Sequence, residues 1–105
     1  MASTKAYLDF VLEQLSGLDE ISSRAMMGEF ILYYRGKVFG GIYDDRLLVK
    51  PVPVAVKMMP DAEMEPPYDG AKKMILVDDV DNRQFLCELV ESMWEELPKK
   101  KEKTL

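Results

Sequence analysis

The chain has 105 residues, 48% of them hydrophobic and 31% charged, with a formal net charge of −5. That length fits one domain with a single core, the apolar content excludes a disordered chain, and no apolar run reaches the ~18–20 residues of a membrane span. With one cysteine, Cys87, no internal disulfide can form, and the N-terminus lacks the apolar stretch of a signal peptide, so a cytoplasmic protein is expected.

In chain order, Tyr7, Leu8, Val11, Leu12, Leu15 and Leu18 recur at helical spacing. They predict a first helix from Thr4 or Lys5 to Ser16, capped by Ser3 or Thr4 and stopped by Gly17. Residues 22–50 then alternate strand-forming runs with turn residues. A short strand is expected at Ser23–Met27, followed by Glu29–Arg35 and Lys37–Tyr43, with Arg35-Gly36 and Asp44-Asp45 as the turns. Phe30, Leu32 and Tyr34 are expected to face opposite to Ile31 and Tyr33. Strict alternation sets Val38 and Ile42 against Phe39 and Tyr43, and Leu47 and Val49 against Leu48 and Lys50. Gly40-Gly41 inside a strand suggests a bulge, or the close approach of another backbone.

Pro51 and Pro53 close this run and introduce a short helix over Val54–Met59, ended by Pro60. The stretch DAEMEPPYDG reads as a loop, and Lys72–Val77 as a further strand. The last helix carries Phe85, Leu86, Leu89, Val90, Met93, Trp94 and Leu97 on one stripe, capped by Asp79 or Asp81 and terminated by Pro98. Acidic residues at its start and lysines beyond its end suit the helix dipole. Lys99, Lys100, Lys101 and Lys103 against Glu102 give residues 99–105 a charge of +3, which leaves −8 on residues 1–98. A body that acidic repels phosphate backbones, so direct DNA binding by it is not expected. The basic end is expected to be a solvated, disordered tail.

Reactive chemistry is sparse. There is no histidine, the commonest general base and metal ligand, and Cys87 on the last helix is expected to be a half-buried structural thiol. Asp78, Asp79 and Asp81 do not make a calcium loop, since Arg83, Gln84 and Val90 stand where a ligand, a glycine and a glutamate are needed. Around Gly36-Lys37 a phosphate loop fails at Ile31 and Val38. No enzymatic activity, cofactor or metal is expected. Eight methionines are many for this length, and methionine suits adaptable binding surfaces. Met58, Met59 and Met64, with Tyr68 in the Pro-rich loop, form the expected partner surface.

The segments Arg24-Ala25-Met26-Met27-Gly28, Gly36-Lys37-Val38-Phe39-Gly40 and Asp45-Arg46-Leu47-Leu48-Val49-Lys50 together resemble the N-terminal domain of the TfoX/Sxy family of bacterial competence regulators. Tyr68-Asp69-Gly70-Ala71-Lys72 and the run VDDVDNRQFLCELVESMWEELP are similar to a freestanding subgroup of it. The motif positions are Arg24, Met26, Gly28, Gly36, Phe39 and Lys50; the family usually has Met-Phe-Gly where Met26-Met27-Gly28 stands. The resemblance implies a two-layer α+β fold. An antiparallel sheet of four to five strands carries helices mainly on one face, as in type III secretion chaperones. The expected organisation is one N-terminal-type domain over residues 1–98, without the C-terminal helical domain of full-length regulators, followed by the basic tail.

For the regulators the resemblance implies transcriptional activation in concert with the cyclic-AMP receptor protein, and no enzymatic activity. The leading expectation is therefore a non-enzymatic interaction domain whose partner is another protein, such as a transcription regulator, with a homodimer as a further expectation. The alternative is a small-ligand sensor, its ligand lying between the sheet and the 57–70 loop with Arg24 or Lys50 meeting an anionic group. A third reading is weak nucleic-acid binding through the lysine-rich tail.

Overall fold

Glycine and aspartate placement decides how the chain turns, and it does so in three hairpins in a row. The computed structural model describes residues 3–98; the basic tail expected at 99–105 lies outside them. The first helix, α1 (Lys5–Gln14), is capped by Thr4, whose hydroxyl accepts from the Tyr7 N–H, and it ends two residues before Ser16. The strands β1 (Ile21–Met26), β2 (Glu29–Tyr34), β3 (Lys37–Tyr43) and β4 (Arg46–Val49) follow as an antiparallel meander. Arg35-Gly36 and Asp44-Asp45 hold positive φ at both turn residues, as expected, and Met27-Gly28 forms a third turn of the same kind. β1 is therefore a full six-residue strand rather than a short one.

Two later elements differ from the sequence reading. The Pro-rich stretch contains a two-residue strand, β5 (Met64–Glu65), which pairs with β6 (Met74–Leu76). The sheet therefore has six strands, in the order β1-β2-β3-β4-β6-β5. A helix, α2 (Pro53–Met58), precedes β5, and α3 (Arg83–Met93) runs on into a single 3₁₀ turn over Trp94–Glu96. Asn82, not Asp79 or Asp81, caps α3: its side-chain oxygen accepts from the Phe85 N–H at 3.1 Å. No acidic side chain lies in the first turn of α3, and the lysines expected beyond its end lie outside the described residues.

The parity of β3 also departs from strict alternation. Leu32 pairs with Gly40 but Tyr33 pairs with Val38, so Phe39 is the extra residue of a bulge. Phe39 and Ile42 consequently share the core face, while Val38 and Tyr43 share the other. The close approach inferred for Gly40-Gly41 is present as well. A β-carbon at Gly40 would overlap the Leu48 carbonyl oxygen, and one at Gly41 would lie 2.7 Å from the Phe30 carbonyl oxygen.

All three helices contribute to one core on one side of the sheet. Leu8 and Val11 of α1, Leu15 just after it, and Leu86, Leu89, Val90 and Met93 of α3 cluster with Leu32, Phe39, Ile42, Leu47, Val49 and Ile75, with Ala55 of α2 alongside. This is a two-layer α+β fold with helices on one face. Ser3 and Thr4 stitch its start to two hairpin turns: the Ser3 N–H donates to the Gly28 carbonyl at 2.9 Å, and the Thr4 N–H donates to Asp45 Oδ1 at 2.8 Å. Lys37 pins the end of α3, donating to the Trp94 carbonyl at 3.0 Å with its ammonium 4.0 Å from the indole centroid.

Candidate functional site

Register carries Met26, Ile31, Tyr43 and Leu48 to the face that the helices leave bare. Residues paired across an antiparallel ladder point the same way. Arg24 pairs with Ile31, Ile31 with Gly41 and Gly41 with Leu48, while Tyr43 pairs with Arg46. Leu48 is fully buried yet stands outside the helix-side core, so this face has its own partial cover. The segment 66–73 lies across it, since Pro67, Tyr68 and Lys72 share a hollow with Val38, Gly40 and Tyr43.

Two hollows open there, one on each side of Tyr43 and Tyr68. The first, about 430 Å³, is lined by Met26, Met27, Glu29, Ile31, Tyr43 and Tyr68. Met27 sits at the tip of the β1–β2 turn, 96% exposed with φ of 53°, and Tyr68 is 65% exposed. The tight turn requires positive φ at both of its central residues and so sets Met27 at an exposed tip; a large apolar side chain there, beside Met26 and Tyr68, makes an exposed apolar patch. Glu29 is the charged group of the hollow. Its Oε1 accepts from the Ser3 hydroxyl at 2.5 Å and from the Asp44 N–H at 3.1 Å. Burial, followed by the nearby Tyr68, Glu29 and Tyr33, pushes the Tyr43 phenol above its ordinary range.

The second hollow, about 380 Å³, lies between the sheet and the 66–73 segment, where Val38, Tyr43 and Met74 meet Lys50, Lys72 and Lys73. Lys50 is half-buried, and desolvation lowers its pKa. On the same face the Arg46 guanidinium pairs with Glu65, tying β4 to β5 across β6, and its Nε donates to the Tyr43 carbonyl at 3.1 Å.

The expected partner surface does not come together as one patch. Met58 and Met59 are half-buried against the core and line a groove with Pro60, Asp61, Leu76 and Phe85. Met64 is 41% exposed on β5, at the edge of the sheet, and lines neither that groove nor the two hollows, while Tyr68 stands over the sheet. Among the motif positions, Phe39 is fully buried in the core, and Gly28 and Gly36 hold the positive φ of hairpin turns. Met26 lines the first hollow and Lys50 the second. Arg24 lies apart, with Ser22, Ser23 and Tyr33, so of the two cations considered for an anionic ligand only Lys50 stands between sheet and loop. The residues that sequence reasoning left out of the site are Met27, Glu29, Ile31 and Tyr43. The available signal was that β2 is apolar on both faces, where a strand with one solvated face reads as alternating.

Among the described residues no cluster of three or more histidine, cysteine, aspartate or glutamate side chains is placed to hold a metal ion. No helix among them is long and apolar enough to cross a membrane. Cys87 is half-buried, its thiol directed at the Gln14 carbonyl at 3.5 Å.

These observations define a class first: a two-layer α+β domain whose helix-free sheet face carries exposed methionine and tyrosine around two hollows. The chain belongs to the family of the TfoX N-terminal domain, whose family model matches residues 13–97. It is also similar to an uncharacterized 12.7 kDa protein of the trpE 5′ region of Spirochaeta aurantia. The two are 35% identical over 80 residues, covering 76% of this chain and 70% of that protein. No solved structure matches the chain.

Proposed function

We propose that the protein is a non-enzymatic regulatory domain that docks another protein on its helix-free sheet face, as its family membership suits. The observation that carries this reading is the first hollow, where Met27, Met26 and Tyr68 are left exposed around an apolar floor. Methionine and tyrosine suit adaptable interfaces, because methionine repacks to fit different shapes and tyrosine buries much area with few rotatable bonds. The charge of the body selects the partner. Residues 1–98 carry −8 and the hollow presents Glu29, so a second copy is repelled and a basic surface is attracted. The occupant is a protein that presents an apolar anchor next to a lysine or arginine, as on the basic surface of a DNA-binding regulator.

A photo-crosslinking residue at position 27, compared with one at Phe10 on α1, tests this in the source cell. The expected result is a basic protein captured from position 27 alone. When reconstituted, its binding weakens by about tenfold or more in Glu29→Lys or Ile31→Asp. Equal capture from both positions, or affinity indifferent to Glu29→Lys, defeats the proposal.

A further inference from the structure

We infer that the second hollow, between the sheet and the 66–73 segment, is a binding site for a small anion carried on a flat apolar body, such as an aromatic carboxylate or phosphate ester. The charge pattern is the first reason. In a body of net −8, three cations, Lys50, Lys72 and Lys73, line one hollow, and no carboxylate lines it. Among the described residues none of the three makes an ion pair; the pairs there are Lys5–Asp9, Arg46–Glu65 and Arg83–Glu13.

Geometry is the second. Lys50 is half-buried beside Pro51 at the end of β4. Its side chain is partly withdrawn from water with no carboxylate lining the hollow, an arrangement that costs free energy to the extent that the ammonium is desolvated; the lowered pKa of Lys50 agrees. Lys72 and Lys73 are set opposite by a built turn: Gly70 holds φ of 88°, and the Ala71 N–H donates to the Tyr68 carbonyl at 3.1 Å.

Shape is the third. About 380 Å³ falls within the range of small-molecule sites, roughly 300–1,000 Å³. Val38, Met74, Tyr43 and Tyr68 supply apolar walls for a planar group, with Lys50 on the sheet side and Lys72 and Lys73 on the segment side for its charge. This site is separate from the docking hollow, though Tyr43 and Tyr68 border both.

The test titrates the ¹⁵N-labelled protein with phenyl phosphate and with benzoate, against benzyl alcohol as the neutral analogue and inorganic phosphate as the bare anion. The expected result is saturable shifts on the amides of Lys50, Ala71, Lys72, Lys73 and Met74. Phenyl phosphate or benzoate, whichever charge the site prefers, is expected to bind about tenfold or more tighter than benzyl alcohol and than inorganic phosphate. Lys50→Met and the double variant Lys72→Gln/Lys73→Gln are each expected to lose about tenfold in that affinity. The double variant lies on an exposed segment, so it stays informative if Lys50→Met fails to fold. Non-saturable shifts, shifts centred on Met26 and Ile31, benzyl alcohol binding as tightly, or affinity unchanged in the lysine variants overturns the inference. Each of those results leaves the docking proposal intact, since that is read from crosslinks at Met27.

Discussion

Replacing Gly40 with alanine tests how tightly β3 and β4 are joined. The new β-carbon would overlap the Leu48 carbonyl oxygen and lie 2.9 Å from Val49 Cα, where carbon atoms normally stand ~3.5–4.0 Å apart. Both neighbours are backbone, so the strand itself must move by about 1 Å. That movement weakens the ladder around the Gly40–Val49 pair, including the Lys50 N–H to Phe39 carbonyl bond of 2.9 Å. Two such bonds at about 1 kcal/mol each, with about 1–2 kcal/mol of lost packing around the fully buried Phe39, Leu47 and Val49, give a loss of roughly 3–4 kcal/mol. At about 4–8 °C per kcal/mol for a domain of this size, the melting temperature falls by at least ~12 °C. The control is Gly36→Ala, where φ is 84° and no atom lies within 4 Å of the added carbon; only backbone strain of about 1 kcal/mol is expected there. Differential scanning calorimetry on both variants decides the matter. If Gly40→Ala melts no lower than Gly36→Ala, the strands are not as closely joined as the ladder implies.

Leu89→Ala is expected to cost about 3–5 kcal/mol by urea denaturation, because Leu89 of α3 is fully buried in the core. Asn82→Ala is expected to cost about 1 kcal/mol and Asp81→Ala almost nothing, which separates the true cap of α3 from its acidic neighbour. Burial, with Asp45 second, raises the Tyr7 phenol as Tyr43 is raised. Above about pH 10 the unfolded chain releases these protons while the folded one keeps them, so stability falls as pH rises through the folded values. The urea midpoint of Tyr43→Phe is expected to fall less between about pH 9 and about pH 11 than that of the unaltered protein.

What the amino-acid pattern conveyed was the local part of the fold. Thr4 as a cap, the Arg35-Gly36 and Asp44-Asp45 turns and the apolar stripes of α1 and α3 depend on near neighbours in the chain, and each stands where spacing placed it. What it did not convey depended on distant partners. Phe39 shares the core face with Ile42 because β3 carries an extra residue opposite Leu32 and Tyr33 of the neighbouring strand, whereas alternation within β3 alone sets the two on opposite faces. β5 exists because Met74 and Ile75 offer it an edge; two residues have no strand propensity worth reading by themselves. The face that gathers Met26, Met27, Ile31, Tyr43 and Tyr68 joins residues up to 42 positions apart, assembled by the strand register and by the 66–73 segment that crosses the sheet. Choosing methionines by their neighbourhood to Pro60, Pro66 and Pro67 selected Met58, Met59 and Met64, which the fold scatters between a groove and an edge strand.

The stitching of Ser3 and Thr4 has a bearing on how the molecule opens. Thr4 caps α1 through its hydroxyl while its own N–H is held by Asp45, 41 positions along the chain. Ser3 receives the Asp45 N–H at 3.1 Å and donates to Glu29 at the foot of the neighbouring hairpin. Helix start and hairpin tips are therefore coupled: loosening the Asp44-Asp45 turn releases the Thr4 N–H, and displacing Ser3 and Thr4 leaves that turn only its Asp44 N–H bond to Glu29. Three features that look like independent surface ends behave as a single unit of local unfolding. Glu29, on the rim of the first hollow, is thereby tied through Ser3 to the start of a helix on the far side of the sheet.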